Sequence, residues 1–143
     1  MVLKVCRSRG NNEGVLHAAA ALNAFALSHP GRYGMGDRSG LTAFEVPRPF
    51  VQLEGLVADR ALLDAIRTQR SLHVTLASLG VDYLVEALPT RGVAADRCQE
   101  FSEPKLVQAG AHSPKMRGTF CDALFRYDDT TDGHTTLVYA VPR

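Results

Sequence analysis

The chain has 143 residues, 45% of them hydrophobic and 22% charged, with a net charge of +1. That length fits one domain able to bury roughly two-thirds of its unfolded surface. Basic and acidic residues are interspersed, which excludes the basic stripe of a nucleic-acid binder and the polybasic run of a membrane-surface protein. The longest apolar tract, residues 15–27, is broken by His17 and Asn23 and is too short to cross a bilayer. The start, MVLKVCRSRG, lacks the apolar segment and small-residue cleavage site of a signal peptide.

In chain order, residues 1–11 read as a flexible basic arm and residues 12–143 as a single α/β domain. Asn11 or Asn12 caps a helix in which Val15, Leu16, Ala19, Leu22, Ala26 and Leu27 recur at helical spacing, and His29-Pro30-Gly31 stops it. Residues 32–35 form a short strand ending at Gly36-Asp37, and Ser39 opens a helical turn. Pro47 and Pro49 flank a turn before a second strand, residues 50–53, which ends at Glu54-Gly55. Asp59 caps a helix whose face is Leu62, Leu63 and Ile66; a second helical piece, residues 72–79, closes at Gly80. Residues 81–87 are the third strand. The segment between strands two and three has the length of a right-handed crossover, so those strands are expected to be parallel.

Beyond Pro89 the texture changes to short β-like runs at residues 99–102, 105–108, 119–127 and 135–141, broken by Pro104, Gly110, Pro114 and Asp132-Gly133. The DDTTDG turn joins the last two strands as a hairpin. The predicted fold is therefore α/β: a small sheet with parallel strands in the N-terminal half, flanking helices, and an antiparallel C-terminal meander that extends or covers the same sheet.

Ligands of open parallel sheets sit outside the carboxyl ends of the strands. Asp37, Glu54 and Glu86 fall at or near such ends, with Arg38 and Arg48 close by, an edge suited to a cation or to sugar hydroxyls. The plainer reading, favoured because strand-end acids in caps are commonplace, is that Asp37 and Glu54 cap adjacent helices and turns or pair with arginines. The five histidines are scattered, without HxH or HExxH, and the chain has no GxSxG, phosphate-binding loop or GxGxxG. No catalytic residue, metal or cofactor is predicted. Cys6, Cys98 and Cys121 have no metal-type spacing; they are either three free thiols or a Cys98–Cys121 bridge plus one thiol. Closing a loop of about two dozen residues contributes about 3 kcal/mol and implies an oxidising compartment.

Read together, GRYGMGDRSGLTAF, RPFVQLEGLVAD and LGVDYLVEA form an ordered pattern. It resembles the soluble C-terminal portion of bacterial GT-C type membrane glycosyltransferases, the dolichyl-phosphate-mannose-mannosyltransferase-like group. The residues that carry the likeness are Pro30-Gly31, Asp37, Gly40, Arg48, Gln52, Glu54-Gly55-Leu56-Val57, Asp59, Val81 and Tyr83, over residues 28–87. The resemblance implies a non-catalytic, extracytoplasmic (periplasmic) accessory domain beside a membrane-embedded core that uses a lipid-linked sugar. The family's catalytic acid lies between membrane helices, which this chain lacks, so no catalytic residue carries over. An outside location would favour the Cys98–Cys121 bridge. Such a domain would contact a lipid-linked sugar or glycan acceptor through its parent protein, with no nucleic acid and no membrane insertion of its own. The alternative is a free-standing cytoplasmic α/β module for ligand binding or protein interaction, with Asp37 and Glu54 at its site.

Overall fold

The computed structural model describes residues 2–36, 38–54, 60–105 and 113–143, with residues 2–12 described by their backbone alone. Among these, α1 (Val2–Ser28) leads to β1 (Tyr33–Met35), α2 (Ser39–Glu45), β2 (Phe50–Gln52), α3 (Arg60–Arg67), α4 (Leu72–Ser78) and β3 (Tyr83–Pro89). A single 3-10 turn (Thr90–Gly92) then precedes β4 (Cys98–Glu103), β5 (Met116–Cys121), β6 (Phe125–Asp129) and β7 (His134–Ala140).

The fold is α/β. Five strands form one sheet in the order β2-β1-β3-β7-β6, and β4 and β5 form a separate antiparallel pair. β1 lies between β2 and β3 and is parallel to both; β7 runs antiparallel to β3 and β6. The strands predicted to be parallel are so, with β1 intervening. The last two strands are the expected hairpin, closed where Gly133 adopts a φ of 69° that a side chain would resist.

Side-chain alternation along β3 organises the interior. Val85 and Ala87 face α1 and α2, joining Leu22, Ala26, Tyr33, Met35, Val46 and Val138 in one apolar cluster. Leu84 faces the other way, joining Leu62, Leu72 and Leu76 of α3 and α4, Phe101, Met116 and Phe120 of the β4–β5 hairpin, and Leu137 and Tyr139 of β7. The sheet is thus covered on both faces, which is why β3 reads as a nearly continuous apolar run. Each fully buried leucine contributes about 2 kcal/mol by area. On the first face Val15, Ala19, Leu22 and Ala26 make the buried stripe of α1. Tyr33 donates its hydroxyl to the His29 carbonyl at 2.7 Å, and burial, with Tyr83 beside it, pushes its phenol up to about 12.

Three expectations are corrected. α1 begins at Val2, so residues 2–11, read as an arm, belong to the helix; Gly10 and the two asparagines each cost well under the roughly 3 kcal/mol of a proline and do not stop a helix already nucleated. The run 119–127 is two strands, split where Asp122 turns with a φ of 57° and its amide bonds the Arg97 carbonyl. β3 continues to Pro89, so Glu86 is mid-strand rather than at a strand end, held there by pairing with Leu137 of β7. Gly55 of the corner predicted to end the second strand, the cap proposed at Asp59, and residues 106–108 of one predicted run lie outside the described residues.

Candidate functional site

The crevice comes from the chain's path. After β1 the backbone turns into α2 on the α1 side of the sheet, whereas after β2 it proceeds to α3 on the hairpin side. Neighbouring parallel strands whose connections leave in opposite directions open a gap beyond their carboxyl ends. An open depression of about 380 Å³ lies there, walled by Arg38, Ser39 and Gly40 at the start of α2, Gln52 and Glu54 at the end of β2, and the apolar Val15 and Leu41.

Its walls are held from behind. Arg38 sits at a φ of 67°, and its guanidinium donates to Asp132 of the β6–β7 turn at 2.7 Å. Burial works to raise the Asp132 pKa, but the Arg38 bond and the His134 amide together keep it below the usual carboxylate value. Arg38 is therefore a fixed wall whose charge is already matched. Ser39 is buried, and Gln52 and Glu54 are half-buried on the opposite wall.

Behind Glu54 lies a polar centre inside the protein. Glu86 of β3 and Glu103 at the end of β4 are 1% and 0% exposed. Lys105 forms an ion pair with Glu86, lies 3.9 Å from Glu103 and donates to the Ala87 carbonyl at 3.1 Å. Burial first, then the Glu86 charge, pushes the Glu103 carboxyl up to about 9, with Glu54 adding to the rise and Lys105 opposing it. A Cβ at Gly36 would overlap the Glu103 carboxyl, so any larger residue there must displace that side chain.

Of the residues singled out from sequence, Glu54 and Arg38 share the crevice, and Glu86 lies behind it in the buried centre. Arg48 does not join them: it stands before β2, and its guanidinium donates to the Ala26 and Leu27 carbonyls at 2.9 and 3.2 Å, closing the end of α1. Asp37 lies outside the described residues. Cys98 and Cys121 face each other across β4 and β5 and are joined by a disulfide. The adjoining Asp122–Arg97 bond makes theirs a non-hydrogen-bonded pair, where facing side chains come closest. Sequence reasoning missed Glu103, Lys105, Ser39 and the use of Gln52. For Glu103 a signal existed: it alternates with Phe101, so a strand that buries Phe101 also turns Glu103 inward.

The carboxylate of Glu54, the amide of Gln52 and the hydroxyl of Ser39 offer both donors and acceptors to a hydroxyl-bearing ligand. Glu86 and Glu103 are buried behind the crevice wall rather than exposed in it. Among the described residues no three His, Cys, Asp or Glu side chains are arranged to hold a metal ion, and no helix is long and apolar enough to cross a membrane. Comparison with known protein families, curated proteins and solved structures finds no match to this chain.

Proposed function

We propose that this chain is a non-catalytic accessory domain that holds a polyhydroxylated ligand, a glycan or glycan acceptor, on the extracytoplasmic side of a membrane glycosyltransferase-like protein. The observation that carries the reading is the crevice at the carboxyl ends of β1 and β2, with Ser39, Gln52 and Glu54 as its polar groups. Neutral hydroxyls suit such walls better than phosphate, because the arginine present is already paired with Asp132. The ordered resemblance over residues 28–87 supports the glycosyltransferase context, and the Cys98–Cys121 disulfide is in keeping with an oxidising compartment.

A thermal-shift screen of neutral mono- and oligosaccharides tests this, since a ligand that binds only the folded state must raise stability. At least one neutral sugar is expected to raise the melting temperature of the wild type, and Glu54→Gln to reduce that rise at least threefold. If no sugar acts while peptides or charged metabolites do, the domain is a free-standing binding module. An equal rise in Glu54→Gln would remove the crevice from the account.

A further inference from the structure

The five-stranded sheet ends in β2 on one side and in β6 on the other. β2 has three residues and follows Pro47 and Pro49, which carry no N–H for a further strand and confine pairing to its short span. β6 has five residues and no proline, and among the described residues it has a strand on one side only, β7. Every second residue of such an edge directs its N–H and C=O outward, and natural edges are commonly blunted by charge, often lysine.

β6 instead carries charges of both signs. Arg126 and Asp128, two residues apart, lie on one face with side chains 51% and 46% exposed. The Arg126 Nε donates to both Asp128 oxygens, at 3.2 and 3.0 Å. A guanidinium has five N–H donors, so its terminal nitrogens retain capacity for a second carboxylate. On the opposite face Phe125 lies against Phe25 of α1, ring centroids 5.3 Å apart, and Tyr127 is half-buried.

Two identical strands pair antiparallel in few registers. A two-fold axis must fall where a residue faces its own counterpart, because a one-residue offset would map a hydrogen-bonded pair onto a non-hydrogen-bonded one. An axis at Arg126 sets guanidinium against guanidinium, and one at Asp128 sets carboxylate against carboxylate. An axis at Tyr127 sets Arg126 of each copy opposite Asp128 of the other, brings the two Tyr127 side chains together and overlaps the whole strand. Opposite charges directly across a strand pair stabilise it, and like charges destabilise it. The edge is thus complementary to an inverted copy of itself.

We propose that two copies of this chain pair along β6, antiparallel about a two-fold axis at Tyr127, so that one sheet runs through both. Each guanidinium then has one carboxylate along its own strand and another across from it. The prolines before β2 keep the outer edges of the longer sheet from adding further copies, so assembly stops at a dimer. The dimer goes beyond the sugar-binding reading and does not depend on it.

Sedimentation velocity of the oxidised protein with Cys6 alkylated, diluted from millimolar to micromolar, tests this. The wild type is expected to pass from dimer to monomer. Arg126→Asp and Asp128→Arg each set like charges face to face and should raise the dissociation constant about tenfold or more. An equimolar mixture of the two variants should recover most of that loss, since in the mixed dimer every cation faces an anion. A wild type that stays monomeric at millimolar concentration, single variants that dimerise as well as the wild type, or a mixture no better than its components would each overturn the pairing. Should the variants fail to fold, hydrogen exchange of the wild type decides. Exchange of the β6 amides that slows with rising concentration, while that of β2 does not, supports the dimer; exchange independent of concentration overturns it.

Discussion

The two faces of the five-stranded sheet are built on different principles, although one strand serves both. On the α1 side, β3 presents Val85 and Ala87 to an interior closed by Leu22, Ala26, Tyr33 and Met35. On the hairpin side the same strand presents Leu84 and then Glu86, so the apolar cluster gives way, within two residues, to a buried ion pair with Lys105. The first face is held mainly by apolar area, with Tyr33 and Arg48 adding hydrogen bonds to carbonyls at the end of α1. The second depends on charge balance, and a hairpin carrying its own cross-link supplies that balance. What separates them is the partner each residue meets, not the strand that bears it.

Removing the lysine breaks this contrast most severely. Lys105→Met removes the ammonium that pairs with Glu86 and should cost about 3–5 kcal/mol in denaturant unfolding, while the double variant Lys105→Met, Glu86→Leu should regain most of the loss. A neutral single variant would mean that the hairpin face is held by apolar contact like its opposite. Next in size, Cys98→Ser with Cys121→Ser opens a loop closed over 23 positions and should cost about 3 kcal/mol. Limited proteolysis should then cut in the hairpin before it cuts β3 or β7. Smallest is Arg48→Ala on the α1 face, which exposes two helix-end carbonyls and should cost about 1 kcal/mol, shown as a lower melting temperature with the crevice unaltered.

Much of the fold was legible because its signals are local. Ser39, Gly80, the Asp132-Gly133 turn and the apolar spacing of α1 each act within a few residues; α2, α4 and the last hairpin stand close to their predicted places, and α1 ends where expected although it begins earlier, at Val2. The crevice was half legible: Glu54 follows from a strand-end corner, but Gln52 and Ser39 acquire their role only when α2 and β2 stand side by side. Arg38 and Arg48 looked alike in sequence. One is tied to Asp132, 94 residues on, and the other to the end of α1, pairings that no local pattern encodes. The Glu86–Glu103 centre was hidden for the same reason, since it needs the hairpin to fold back over the sheet. Residues 119–127 misled because β propensity does not mark a corner; Asp122 turns there to bring Cys121 opposite Cys98.

The most direct test of the account is an amide chemical-shift titration of the oxidised protein with the sugar that gives the largest thermal shift. The account predicts saturable changes concentrated at Arg38, Ser39, Gly40, Leu41, Gln52 and Glu54, the crevice walls. Changes that instead cluster on the outer surface of α3 or the hairpin, or that never saturate, would contradict a ligand site at the carboxyl ends of β1 and β2.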